Sequence, residues 1–430
     1  AVAQFFCEKI QNPFSKTVVV VCGKGNNGGD GVIAHSYLKK YNVSSKIVFT
    51  EEDHGHSKLL KNHKISKREY SIYSEKTKFD KYDWVIDGIF GIGLSRDLNN
   101  KYKKIIKSLN CNKNIISIDI QSGLCSDSDK YSNYVYSKHV VTFGYSKFGH
   151  YFNVVNDLNI LNIGFKNINV FQAQLINYKD IEKLIKSKKI NDNIHKYNRG
   201  KALIFAGSND YPGAGILSAK AAKSTGSGYV KLFLESNNNN LITQMDLMLP
   251  EIIVSNNAIL NEHKDIVCDT ILFGPGYVSD LNSYTFLENL KNSKINIDNN
   301  INYVFDGFQI FNNYLEHMYG LDDFNFNYYF DEYPEFSILT PHTGELKKVF
   351  NNFTLSYDFL IFIQKIIGNR IVVLKFFNTF IITKDMIYIM DRGPSILATA
   401  GTGDVLSGIL VSLLSQGYSR LEASILGTYL

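Results

Sequence analysis

Short apolar runs alternate with amphipathic stretches along the whole chain, and the alternation has the period of a strand–helix repeat. Thr17-Val18-Val19-Val20-Val21-Cys22 is apolar on both faces and rich in β-branched residues, the pattern of a strand buried inside a parallel sheet. Further buried strands are predicted at 46–49, 84–87, 115–120 and 139–143, with a helix over 32–41. A second series follows a boundary near 162–176, with strands at 201–206, 270–273, 337–339, 371–374, 380–383 and 386–390 and helices over 215–226 and 405–414. Strands that alternate with helices imply parallel sheets covered on both faces, so the chain reads as α/β with two three-layer αβα domains, 1–168 and 169–430. The opening AVAQFFCEKI and the closing LEASILGTYL both look like helices cut short. The chain is therefore expected to be a fragment, with any targeting segment outside it.

Composition narrows the class. Of 430 residues, 44% are hydrophobic and 20% charged, which describes a globular protein with enough apolar surface for two cores. The net charge of +5 is small and spread along the chain, so a nucleic-acid partner is not expected. No apolar run reaches transmembrane length, so no membrane partner is expected. The five cysteines include no Cys-x-x-Cys, which leaves no zinc ribbon or disulfide framework and points to a reducing intracellular compartment, cytoplasmic or organellar.

The candidate chemistry gathers after the strands, where open α/β sheets bind ligands. After the first strand comes Gly23-Lys24-Gly25-Asn26-Asn27-Gly28-Gly29-Asp30-Gly31, which contains the dinucleotide fingerprint G-x-G-x-x-G, with Glu51 at the end of the next strand. Asp30 argues against a pyrophosphate there, because a carboxylate where phosphate should meet a helix N-terminus repels it. The oxygens of Asn27, Asp87 and Ser122 suit a hard cation instead. A ligand-free turn capped by Asp30 is the third reading, and the loop alone does not choose among them. In the second half, Gly401-Thr402-Gly403-Asp404 runs into an apolar helical stretch. Backbone N–H groups at such a start bind anions, and a carboxylate beside them suits a base that takes a proton from a hydroxyl as a phosphoryl group arrives. Taken singly, Asp404 could be a helix N-cap, His342 a loop histidine and Lys375 a solvated lysine.

Taken together these motifs carry a resemblance. CGKGNNGGDG at 22–31, DGIFGIGLSRDL at 87–98, IDIQSG at 118–123 and GYSKFGHY at 144–151 resemble the NAD(P)H-hydrate epimerases. HKYNRGKALIFAGSNDYPGA, FGPG, LTPHTGE, VLK and ATAGTGD, over about 195–430, resemble the ribokinase-like ADP/ATP-dependent NAD(P)H-hydrate dehydratases. The resemblance implies a Rossmann-like N-terminal domain, a ribokinase-like C-terminal domain, and a bifunctional repair enzyme for the hydrates NADHX and NADPHX, in a homo-oligomer. It implies that Asn26, Asn27, Gly28, Gly29, Asp30, Gly91, Ile92, Gly93, Leu94, Ser95, Arg96, Asp97 and Asp119 contact the hydrate in the first domain. Asp119 would be the acid/base, and Asn27, Asp87 and Ser122 would hold a potassium ion. In the second domain Ala214, Gly276, His342 and Asp404 would contact the hydrate, with Asp404 the catalytic base. Lys375, Phe376, Phe377, Asn378, Thr379 and Gly403 would contact ADP or ATP with its Mg2+. The chain departs from the family at Gln121, where proline is usual, at Phe376, where glycine is usual, at Asp306-Gly307-Phe308, which lacks one usual carboxylate, and at Ala400. A ribokinase-like kinase for a vitamin precursor or sugar fused to a binding domain, or a non-catalytic scaffold, are the other readings.

Overall fold

The computed structural model describes residues 1–430 except 95–96, 131–132, 166–170, 188–194, 237, 257–267, 278–300, 308–312, 314–325, 351–352, 392 and 394. Ser95, Arg96, Phe308 and the expected domain boundary at 168 lie outside the described residues. The chain forms two compact units, residues 1–169 with 354–359, and residues 170–353 with 360–430.

The first unit is built on seven parallel strands: β1 (Thr17–Cys22), β2 (Ser44–Phe49), β3 (Tyr70–Ile72), β4 (Trp84–Gly88), β5 (Ile115–Ile118), β6 (His139–Phe143) and β7 (Leu158–Leu161). Their order in the sheet is β3-β2-β1-β4-β5-β6-β7. Alternate valines of β1 enter two different cores. Val18 and Val20 pack with Phe6, Val32 and Leu38, while Val19 and Val21 pack with Ile105, Ile106 and Leu109. Both faces are therefore buried, which is why β1 carries no polar alternation. The first core includes residues of helices α1 (Val2–Lys9) and α2 (Asn26–Lys40), the second those of α4 (Asn100–Leu109), with α3 (Ser57–Asn62) lying between α2 and α4 in the chain.

Two expectations change here. The helix predicted over 32–41 starts at Asn26, so Asn-Asn-Gly-Gly-Asp is its opening turns rather than a loop. Glycine is a poor helix former, but a Cβ at Gly28 would lie 1.8 Å from the carbonyl oxygen of Gly23 and one at Gly31 would lie 2.8 Å from Cys22 Sγ. The helix is pressed onto β1 too closely for any side chain, and packing overrides propensity. The strand predicted over 115–120 ends at Ile118, because Asp119 turns into the left-handed region at φ +67°.

The second unit holds β8 (Ala173–Leu175), β9 (Lys201–Ser208), β10 (Tyr229–Glu235), β11 (Ile253–Asn256), β12 (Thr270–Phe273), β13 (Asn302–Phe305), β14 (Ser337–Leu339), β15 (Ile371–Leu374), β16 (Thr379–Ile382) and β17 (Ile387–Met390). The sheet order is β11-β10-β9-β12-β13-β14-β15-β16-β17-β8, parallel except where β16 pairs antiparallel with β15 and β17. The short α5 (Gly149–Phe152) follows β6 in the first unit, and in the second unit one face of the sheet packs on Ala219, Ala222, Leu410, Val411 and Leu414. The helices of this unit include α6 (Tyr178–Ser187), α7 (Pro212–Thr225), α8 (Asn239–Met248), α9 (Thr343–Val349), α10 (Thr402–Ser415) and α11 (Arg420–Tyr429), with Ala219 and Ala222 on α7 and Leu410, Val411 and Leu414 on α10. The other face is aromatic: Phe205 and Phe233 stack at 4.6 Å, and Tyr333 meets Phe305 edge-on at 5.2 Å. Helices α7 and α10 approach closely because Gly408 faces Ser218, where a Cβ would sit 2.2 Å from the Ser218 carbonyl oxygen.

Candidate active sites

The first site opens where β1, β4 and β5 end. A cleft of about 820 Å³ is lined by Asn26, Asn27, Asp30, Gly91, Ile92, Gly93, Leu94, Asp97 and Asp119, which the sequence had grouped from three separate motifs. Gly28 and Gly29 are buried behind it and serve the close packing of α2. Asp30 lies on the second turn of α2, not at its N-terminus, so the charge objection to an anion at that N-terminus does not hold. Withdrawal from bulk water and the nearby charge of Asp119 push the Asp30 carboxyl above the usual carboxylate range. The cleft also takes in Lys24, Glu51 and Tyr102, with the Tyr102 hydroxyl donating to Glu51 at 2.8 Å. Only the fingerprint spacing of Glu51 hinted at any of these.

Asp119 forms the inner wall. Its left-handed backbone costs a non-glycine residue on the order of 1 kcal/mol or more. Its Oδ1 accepts from Thr142 Oγ1 at 2.9 Å and from Lys147 Nζ at 2.6 Å. Oδ2 faces Gly91, where a Cβ would lie 3.5 Å away. Lys147 belongs to the GYSKFGHY segment, and sequence reasoning assigned it no role.

Asn27, Asp87 and Ser122 come together beneath this wall. Asn27 Nδ2 donates to the carbonyls of Phe90 at 2.7 Å and Ile118 at 3.2 Å, and Ser122 Oγ accepts from Phe90 N at 2.9 Å. Asp87 is fully buried and accepts from Ser117 Oγ, Ser122 Oγ, Ser122 N and Ile89 N. Burial outweighs those four donors and raises its carboxyl above the ordinary range. A buried carboxylate with that deficit, among amide, hydroxyl and carbonyl oxygens, fits a hard monovalent cation. Gln121 is also buried, and its Nε2 donates to Val135 O at 3.2 Å. The turn that proline would stiffen is tied by this side chain instead.

The second site lies at the start of α10. Gly401, at φ +91°, is the N-cap, and Asp404 is the third helical residue, making no capping bond. The cap reading of Asp404 is therefore set aside. The first N–H groups of the helix have no intrahelical partners, and Gly403 among them lies against Lys375, whose Nζ would be 3.3 Å from a Cβ there. Below them Asp306 is buried, its Oδ1 accepting from Lys375 Nζ at 2.8 Å and Thr340 Oγ1 at 2.8 Å, its Oδ2 from Ser407 Oγ at 2.9 Å. Burial pushes the Asp306 carboxyl up, but the Lys375 charge and these hydrogen bonds outweigh it and hold it below the ordinary range. Asp404 has the opposite fate. Burial first, and then the Asp306 charge, push it up to about 6, with Lys375 opposing. Sequence reading gave Asp306 no role beyond a missing neighbour, since nothing local shows that it pairs with a lysine 69 positions on.

The other predicted residues fall around this point. Lys375 N donates to Pro341 O at 2.8 Å, which sets His342 and Lys375 side by side. His342 caps α9: its Nδ1 accepts from Glu345 N at 3.2 Å while Glu345 accepts from His342 N at 2.8 Å, and its side chain is 57% exposed. Ala214 meets Gly276, where a Cβ would lie 2.6 Å from the alanine Cβ, and Leu217 on the same helix reaches within 2.6 Å of a Cβ at Gly401. Lys375, Phe376, Phe377 and Asn378 form the turn between β15 and β16, and Thr379 begins β16. The Phe376 ring stays outside the core and packs on Phe377 at 4.0 Å, with Phe377 41% exposed.

Known proteins match both units. Residues 1–149 match the family described as YjeF-related protein N-terminus, and residues 202–430 match the family described as NAD(P)H-hydrate dehydratase. A bifunctional NAD(P)H-hydrate repair enzyme Nnr from Dictyoglomus turgidum is 29% identical, over 99% of this chain and 85% of its own length. An NAD(P)H-hydrate epimerase from Plasmodium vivax is 30% identical over 31% of this chain and 47% of its own. A crystal structure of the ADP/ATP-dependent NAD(P)H-hydrate dehydratase from Bacillus subtilis, co-crystallised with ATP/Mg2+, is 20% identical over 60% of this chain and 87% of its own, with a TM-score of 0.47.

Proposed function

The chain belongs to the NAD(P)H-hydrate dehydratase family, and from that premise we propose that it restores hydrated NADH and NADPH with two sites, one epimerising the R and S hydrates at C6, the other dehydrating the S hydrate at the expense of ATP or ADP. The observation that carries this reading is that Asp119, held by Lys147 and Thr142, lines the cleft of the first unit, while Asp404 of the second stands at the start of α10 beside the Asp306–Lys375 pair.

Dehydration has to expel hydroxide, a poor leaving group. Asp404 takes the proton of the C6 hydroxyl as that oxygen bonds to the terminal phosphorus of ATP or ADP, whose P–O bond breaks to release ADP or AMP; a bound Mg2+ would offset the charge of the phosphates. The backbone N–H groups at Gly403 and its neighbours bear the charge on the transferring group. Phosphate then leaves with the C6–O electron pair, the C5 proton passes to water, and the C5–C6 double bond returns. Raised to about 6, Asp404 is a stronger base than an exposed aspartate yet still ionised at neutral pH. Lys375 and the turn through Thr379 hold the nucleotide, with His342, Ala214 and Gly276 on the hydrate.

Epimerisation needs assisted, reversible loss of the C6 substituent or opening of the ring. Asp119 is the acid/base for it, with Asn26, Asn27, Asp30 and the 91–97 loop around the ring. A potassium ion held by Asn27, Asp87 and Ser122 would supply positive charge beneath the cleft wall. The five cysteines are free, in keeping with a reducing cytoplasmic or organellar compartment, and no helix among the described residues is long and apolar enough to cross a membrane.

The test supplies mixed R and S hydrates with ATP or ADP and follows recovery of dihydronicotinamide absorbance. Full recovery of both diastereomers is expected. A stable phosphorylated product in place of free phosphate would point to a small-molecule kinase, and no turnover of either diastereomer would leave a scaffold.

A further inference from the structure

Asp119 and Lys147 are held by more than their own ion pair. His150 lies one turn beyond Lys147, on α5, and is buried to 2% exposure. Its Nε2 is 2.8 Å from the main-chain carbonyl oxygen of Asp119, and its Nδ1 is 3.1 Å from the main-chain nitrogen of Lys147. A carbonyl can only accept, so Nε2 carries the proton. An amide N–H can only donate, so Nδ1 keeps its lone pair. The two backbone groups thus fix one neutral tautomer. Burial, together with the Lys147 charge and against the pull of Asp119, lowers the imidazole to about 4, so it stays neutral at working pH.

We propose that His150 is a positioning residue for epimerisation, a neutral tie between the main chains of Asp119 and Lys147 that holds the Asp119 carboxylate in register with the cleft. This role rests on the epimerase reading of the cleft. Asp119 sits in the left-handed region at φ +67°, a conformation that a non-glycine residue leaves unless its surroundings hold it. Two main-chain bonds hold it: its N–H donates to Val141 O at 2.7 Å, and its carbonyl accepts from His150. The same imidazole fixes the start of the turn from which Lys147 reaches back to Oδ1 at 2.6 Å. With Oδ1 engaged by Lys147 and Thr142, Oδ2 is the oxygen left beside Gly91 on the cleft. Without the tie, the peptide after Asp119 can relax and the carboxylate swings out of line. Displacements of that size lower rates without weakening contacts elsewhere in the site.

The experiment uses the full chain, wild type, His150→Gln and His150→Phe. Glutamine places an amide N–H near the position of Nε2, and phenylalanine keeps the volume but offers no donor. For His150→Phe, kcat for interconversion of the hydrates is expected to fall about 10- to 100-fold with KM changed less than about threefold. His150→Gln is expected to recover most of that loss. In wild type, nitrogen NMR of labelled histidine is expected to show a protonated Nε2 and an unprotonated Nδ1 that do not titrate between pH 5 and 8. Unchanged kcat in His150→Phe, equal losses in both variants, or a titrating imidazole would overturn the proposal. A purely structural role would lower the unfolding temperature of both variants and leave kcat of the folded fraction intact, which also overturns it. Wild type that shows the tie by NMR yet interconverts no hydrate would instead remove the epimerase reading, and with it any role for the tie in that reaction.

Discussion

At the scale of single residues, charge placement separates Asp404 from its neighbour Asp306. Both are carboxylates at strand or helix ends, but Lys375 is bonded to Asp306 and only near Asp404. Asp404→Asn is expected to abolish nucleotide-dependent recovery while epimerisation continues, and near-normal dehydration in the mutant would remove Asp404 as the base. Wild-type dehydration should lose activity as pH falls through about 6, where Asp404 takes up a proton. The same shift has a stability consequence. A carboxyl whose folded pKa is raised above its unfolded one contributes stability that is full below the unfolded value and lost as pH rises through about 6. Replacing it with Asn should therefore stabilise the protein at pH 7.5, by roughly 1 kcal/mol after allowing for solvent screening. The gain should vanish near pH 4, and unfolding midpoints of the two proteins at both pH values check it. Phe376 makes a different prediction. Its ring leans on Phe377 rather than filling the core, so Phe376→Gly should leave stability nearly unchanged. It should tighten nucleotide binding by ~1 kcal/mol, because glycine lets phosphate or ribose approach the backbone. Equal affinities by calorimetry would show that the glycine is not needed in this chain.

At the scale of elements, both sites depend on helices seated closer than side chains allow. Gly408 on α10 touches the backbone of α7, and this contact carries Asp404 and Gly401 to the end of α7 that bears Ala214. Gly408→Ala gains helix propensity of about 1 kcal/mol. It also places a methyl 2.2 Å from a carbonyl oxygen that no rotamer change can move away. Overpacking against backbone should win, with a net loss of roughly 1–3 kcal/mol. A denaturation midpoint equal to or above wild type would contradict the close contact. The same physics explains a misreading of α2. Local propensity reads Gly28 and Gly29 as loop, and only the Gly23 backbone pressed against Gly28 shows that a helix with no side chain at that position is the shape that fits.

At the scale of the molecule, each unit carries its own site, and the two should answer to different ions. Chelating Mg2+ is expected to stop dehydration and spare epimerisation. Replacing potassium with a bulky organic cation is expected to slow epimerisation several-fold and spare dehydration, because Asp87 is buried with too few donors to offset its charge. Loss of both activities together in either experiment would contradict separate sites. Much of this was legible in the sequence. The strands β1, β4, β6, β12, β14 and β15 stand within a residue or two of their predicted places, because an apolar β-branched run between polar turns has few other stable uses. The motif residues after them reach one cleft and one helix start because parallel sheets deliver their strand ends to the same edge. The tertiary structure alone decided what distance along the chain conceals. It paired Asp306 with Lys375, set Lys147 and His150 on Asp119, and began α2 at Asn26. Each of those depends on a contact between segments whose separation in sequence carries no periodic signal, so it exists only once the sheet has brought the segments together.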